Sequence, residues 1–285
     1  MNMRTSLALT LTLGLTACVV LPSQAQDYTF STGNPDGKIA TASRPATTGK
    51  IEIETADDFL LANPLSLTGG AFTGLLTGGA TTADITGVDV EIYRVFPKDS
   101  VNPPAGNVPT RTNSPSDIAL ASRDSTGGAL SFTTTLLNNL FTSSNSVLKG
   151  INPSPNQKTG GEGAVTGQEV QFNLTFNTPF DLPADHYFFI PQVQLNNGDF
   201  YWLSAPKPIV APGTPFTPDL QTWIRNTNLS PDWLRVGTDI VGGSPYNASF
   251  SLTGKSSAIP EPGTLGLLAA GAVGGLGIRL RERRR

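Results

Sequence analysis

His186-Tyr187-Phe188-Phe189-Ile190-Pro191-Gln192-Val193-Gln194-Leu195, then Asn196-Asn197-Gly198-Asp199, then Phe200-Tyr201-Trp202-Leu203, is the stretch that decides the fold class. Two apolar runs, each of strand rather than helix length, flank four residues of turn chemistry, so the segment predicts a β-hairpin. Tyr187 to Ile190 shows no polar alternation, which puts that strand in the middle of a sheet rather than at its rim.

Working outward, residues 85–96 carry Val88, Val90 and Ile92 in alternation with Asp89, Glu91 and Tyr93, a strand with one buried and one wet face, ended by Pro97. Val170, Phe172, Leu174 and Phe176 alternate with Gln171, Asn173 and Thr175 in the same way. Residues 51–54, 118–123, 129–137 and 248–253 are further strands. Residues 221–225 and 232–236 each set a Trp before an aliphatic residue and an Arg. Residues 136–148 read as a short helix, and residues 27–50, rich in Gly, Pro, Ser and Thr, as a loose surface segment. Leu67-Thr68-Gly69-Gly70-Ala71 recurs as Leu76-Thr77-Gly78-Gly79-Ala80, read as two similar turns flanking a strand over 71–75. Prolines and glycines make long loops of 101–115, 151–163 and 206–218. About a dozen short strands joined in this way predict an all-β fold, an antiparallel β-sandwich of jelly-roll type, occupying residues 26–257 as one cargo domain.

Both ends of the chain carry a different signature. Residues 1–25 have the layout of a signal peptide: Arg4, an apolar run, and Ser23 and Ala25 at −3 and −1 of a cut. Leu15-Thr16-Ala17-Cys18 resembles a lipobox, which would make Cys18 a lipidation site; the cut after Ala25 is the preferred reading. Cys18 is the only cysteine, so that cut leaves neither a disulfide nor a thiolate in the cargo. Residues 258–285 run as three zones: Pro260-Glu261-Pro262, an uncharged apolar segment over 264–278, and a basic end holding five arginines. As a helix the apolar segment would span only about 22 Å, short of the ~30 Å hydrocarbon core, and its glycines weaken it further.

That order and position resemble the PEP-CTERM sorting signal of bacteria that carry an exosortase. The resemblance implies export through signal peptidase and a transient membrane hold by a C-terminal apolar sorting helix. It further implies cleavage by an exosortase-type enzyme that recognises Pro260, Glu261 and Pro262, and delivery to the cell surface or extracellular matrix.

The cargo has thirteen basic against twenty acidic side chains, a net charge of −7, which argues against nucleic acid and against anionic lipid as partners. His186 is the only histidine and sits in an apolar strand, so a structural role is preferred over a Ser/His/Asp site. One histidine and no cysteine in the cargo provide no zinc set, and Asp57-Asp58 lacks a calcium-loop spacing and reads as solvated. No metal, cofactor or catalytic residue is expected. Tyr201, Trp202, Trp223 and Trp233 fall within thirty-three residues and offer flat faces for sugar stacking, against which Trp202 and Trp233, each beside a leucine, read as core and Trp223 as the exception. The expectation is an exported, non-catalytic surface or matrix protein associated with exopolysaccharide. The alternative is a carbohydrate-binding or glycoside-hydrolysing module.

Overall fold

In the computed structural model, which describes residues 27–101, 106–151 and 158–256, the two apolar runs around Asn196 to Asp199 are both strands, yet they do not pair with each other. The hairpin expected there is a corner at which the chain leaves one sheet and enters the other.

In chain order the strands are β1 (Asp27–Ser31), β2 (Ile39–Ala42), β3 (Ile53–Leu61), β4 (Leu65–Leu76), β5 (Ile85–Arg94), β6 (Ala121–Asp124), β7 (Leu130–Ser143) and β8 (Asn145–Val147). They continue as β9 (Val165–Leu182), β10 (Asp185–Leu195), β11 (Phe200–Ala205), β12 (Trp223–Asn226), β13 (Leu234–Arg235), β14 (Asn247–Ala248) and β15 (Phe250–Ser256). A six-stranded sheet runs β13-β12-β3-β10-β5-β6. In the nine-stranded sheet β4 is the hub, with β15 and then β11 along one side and β9, followed by β7, along the other. β1 lies beyond β15, and β2 and β8 beyond β11. The pairs are antiparallel except β2 with β8, which departs from the wholly antiparallel expectation.

β10 is central, between β3 and β5, as its unbroken apolar run requires. Its inward residues meet those of β11 and β15 across the sandwich: Phe189 stacks on Phe250 at 5.1 Å and meets Trp202 edge-on at 6.0 Å. Turn chemistry could not foretell this, because Asn-Asn-Gly-Asp suits a sheet-switching corner as well as a hairpin. Gly198 is needed in either case: its φ is +65°, and a Cβ there would lie 1.9 Å from the Thr77 carbonyl oxygen.

Three other expectations are corrected. Residues 136–148 are not helical but the end of β7 and all of β8, since their asparagines and threonines compete with helical hydrogen bonds while β9 and β2 offer strand partners. Residues 27–50 supply β1 and β2, with Phe30, Ala40 and Ala42 buried, because β15 and β11 offer these segments strands to pair with. Gly69 and Gly70 lie inside β4 rather than in a turn, where a Cβ on Gly70 would approach the Ser251 carbonyl oxygen to 2.5 Å. Gly78 and Gly79, with positive φ, do form the expected turn.

The sandwich core lies between the sheets, with Phe59, Val90, Ile92 and Phe189 facing Phe72, Phe172, Trp202 and Phe250. A second apolar cluster, Ala56, Tyr93, Phe188, Ile190, Trp223 and Trp233, covers the other face of the six-stranded sheet. The face expected to be wet is therefore roofed by loops. No helix among the described residues is long and apolar enough to cross a membrane.

Candidate functional site

The roofed face of the six-stranded sheet carries the charged residues. Register sets Arg225 of β12 directly opposite Glu54 of β3. The guanidinium grips the carboxylate from Nε and, at 2.9 Å, from Nη2. Arg225 also lies over the Trp233 ring at 4.3 Å and donates to the Asp117 carbonyl oxygen at 3.1 Å. A second buried arginine, Arg111, binds Asp232 at 2.8 Å and Asp117 at 2.9 Å. Together the two arginines fasten the proline-rich loop after β5 over the sheet. Charges this far from water persist only when paired, and both arginines are, although Asp232 Oδ2 is left buried without a hydrogen-bond partner among the described residues.

Tyr93 Oη stands 2.9 Å from Glu54 Oε1 and 3.0 Å from Glu91 Oε2 while accepting from Arg225 Nη2 at 2.8 Å. One hydroxyl proton cannot serve two carboxylates, so a proton on Glu91 completes the arrangement. Burial pushes Glu91 up to about 7, and the neighbouring Glu54 charge adds to this. Burial likewise raises Asp89 to about 6, helped by Asp124 and Glu52.

β3 then divides an adjacent pair between its two faces. Asp57 points inward, accepts the Ala248 N–H at 2.7 Å and lies 3.3 Å from Thr222 Oγ1, which is 3.0 Å from the Tyr246 carbonyl oxygen. Burial holds its carboxyl well above the ordinary range, with the Asp58 charge as a further cause. Asp58 points outward, where its Oδ2 faces His186 Nε2 at 2.6 Å and accepts the Leu220 N–H at 3.1 Å. Both aspartates are buried, which corrects the solvated reading. Among the described residues no group of three His, Cys, Asp or Glu side chains is arranged to hold a metal ion.

Beside this network, at the β12–β13 end of the sheet, opens a cleft of about 370 Å³. Asn113, Lys207, Asp219, Gln221, Trp223 and Arg235 line it. Lys207 pairs with Asp219 Oδ2 at 2.9 Å, and Arg235 is held by Asp239. Asp219 Oδ1 and Trp223 Nε1 are buried without a hydrogen-bond partner among the described residues. Both atoms are shut from solvent, so what the cleft offers a ligand is the Asn113 and Gln221 amides and the Lys207–Asp219 pair, which suit a neutral ligand rich in hydroxyl groups.

The aromatic residues expected at a glycan face have their rings covered. Trp202 is 0 % exposed, Trp223 1 % and Tyr201 6 %. Trp202 donates from Nε1 to the Ser249 carbonyl oxygen at 2.8 Å, and Tyr201 belongs to a smaller core cluster. Of the three, only Trp223 adjoins the cleft. Cys18, Pro260, Glu261 and Pro262 lie outside the described residues. The buried ion pairs escaped the sequence reading because Glu54 and Glu91 alternate with aliphatics as solvent-facing residues do. The two Trp-aliphatic-Arg repeats were the signal that pointed there.

Neither a curated protein nor a solved structure matches the chain at a significant level. Residues 258–284 match the model of the PEP-CTERM protein-sorting motif. The fold is thus a β-sandwich with a buried charge network and a polar cleft, and the chain carries a PEP-CTERM sorting motif at its C-terminal end.

Proposed function

We propose that this is an exported surface or matrix protein, without catalytic activity, whose sandwich holds exopolysaccharide in the cleft beside Trp223. The sorting motif over residues 258–284 is the observation that carries the export half of the reading: it directs a chain to the cell surface through an exosortase-type enzyme. Signal peptidase acts at the other end, after Ala25, and the apolar tail holds the chain at the membrane until it is cut.

The cleft supports the second half. Sugars present arrays of hydroxyls that both donate and accept, and Asn113, Asp219, Gln221 and Lys207 of the lining supply both roles. The cargo's net charge of −7 favours a neutral polymer over an anionic one. Glu54 and Glu91, two carboxyl groups that share Tyr93 Oη, support the non-catalytic part: Glu54 is locked by Arg225 and buried, where no attacking water or glycosidic oxygen would reach it.

The test is co-sedimentation of the exported protein with exopolysaccharide from the producing cells, alongside a panel of neutral and uronic-acid polymers. Binding that falls at least fivefold in Gln221→Ala and Asp219→Asn supports the cleft. Equal binding by those variants moves the contact elsewhere, and no binding to any polymer sinks the polysaccharide reading. Polymer cleavage by the unaltered protein would make it an enzyme.

A further inference from the structure

β7 lies at the rim of the nine-stranded sheet and pairs, among the described residues, with β9 alone. Its other side presents backbone N–H and C=O groups along fourteen residues, Leu-Ser-Phe-Thr-Thr-Thr-Leu-Leu-Asn-Asn-Leu-Phe-Thr-Ser. Natural sheet edges are ordinarily blunted by lysine, proline, shortness or a bulge. β7 is long and contains no charge, no proline and no glycine. Leu136, Leu137 and Leu140 stand 45, 48 and 74 % exposed. Register shifts do break the ladder between Leu136 and Phe141, so the regular part of the edge is Leu130 to Leu136.

Thr133 is the midpoint of those seven residues, so a self-pairing centred there sets Leu130 opposite Leu136, Ser131 opposite Thr135, and Phe132 opposite Thr134. We propose that this edge pairs antiparallel with the same edge of a second copy, about a twofold axis through Thr133, joining two nine-stranded sheets into one continuous sheet. An antiparallel pairing of an edge with its own copy closes about a twofold axis for any sequence, and centred on Thr133 it sets Thr opposite Thr and Ser opposite Thr, pairs that favour cross-strand contact. Charge selects the same surface. Two domains of net charge −7 repel, yet no charged residue occurs from Ser125 to Leu148, nor in β9 between Val170 and Phe180, so the copies meet where repulsion is least. A basic partner would be drawn to the acidic remainder of the domain, whereas an edge bare of charge suits a partner of the same sign, which is why the second copy is the occupant that fits. The inference is independent of what the cleft holds.

The test uses full-length chain expressed in the cells that produce it, with the accumulated form purified. Thr133→Cys places two thiols opposite each other across the axis, with Cβ atoms about 5 Å apart. In air it should form a disulfide dimer on a non-reducing gel, whereas Val210→Cys, at an exposed site on another loop, and the unaltered chain should not. Sedimentation of the unaltered protein should show a monomer–dimer equilibrium. The exposed double change Thr133→Lys/Thr135→Lys should weaken it at least tenfold with an unchanged melting curve. A protein that stays monomeric at every concentration overturns the proposal, as does a dimer that the lysines leave intact. Thr133→Cys crosslinking no better than Val210→Cys overturns it as well, and decides the matter should the lysine variant fail to fold.

Discussion

Arg225 and Glu54, opposite each other on adjacent antiparallel strands, form a two-point ion pair almost wholly out of water. Its surroundings explain its persistence: Trp233 lies over the guanidinium, Tyr93 bridges to Glu91, and carbonyl oxygens of the covering loops take the remaining donors. The pair ties the strand ladder to the loop roof.

Replacing Arg225 by Met strands Glu54 without its counter-charge and should cost about 3–5 kcal/mol in urea unfolding. The double change Arg225→Met/Glu54→Leu should recover more than half of that loss, because two apolar groups of similar size need no solvation. A single variant within about 1 kcal/mol of the unaltered protein would mean that water replaces the arginine.

Stability should fall as pH rises from 5 to 8. Glu91, raised to about 7, and Asp89, raised to about 6, bind protons more tightly in the folded chain than in the unfolded one. Their contribution is complete below about pH 4, the unfolded carboxylate range, and is lost as pH climbs through 6 and 7. Asp57 and Asp58, also raised by burial, act with the same sign. Melting temperature should drop several degrees over that interval, and Glu91→Gln should flatten the slope. A melting temperature that rises toward pH 8 would contradict the buried-acid arrangement.

His186→Ala should reduce stability by about 2–4 kcal/mol, because Asp58, whose Oδ1 already lacks a partner, would keep only the Leu220 N–H. Phe216, edge-on to the His186 ring at 6.1 Å, would lose its support as well. Limited proteolysis should then cut residues 206–218 faster than in the unaltered protein. Unchanged proteolysis and an unchanged urea midpoint would show that Asp58 is satisfied without the ring.

Changing Pro260, Glu261 and Pro262 to alanine should leave the tail attached and the protein with the membrane fraction. Mass spectrometry of the accumulated protein reads the result directly. A mature unaltered chain still ending at Arg285 would exclude cleavage at the motif.

What could be read locally was read correctly where local forces decide. Alternation in Val88 to Ile92 and in Val170 to Phe176 marked strands because side chains on a strand point to opposite faces whatever the strand's partner. The ordering of Pro260-Glu261-Pro262, apolar run and arginines was legible for the same reason, as such a tail is recognised as a linear signal. Partnership was not legible. Asn196 to Asp199 looks the same whether the chain turns back on itself or crosses to another sheet, and only the whole set of strands competing for β10 and β11 settles it. Burial of charge was hidden likewise: Glu54, Asp57, Asp58 and Glu91 resemble solvent-facing residues until strands and loops from distant parts of the chain bring Arg225, Thr222 and His186 to them. Such contacts join positions up to 171 residues apart, so their energy belongs to the assembled fold and to no single segment.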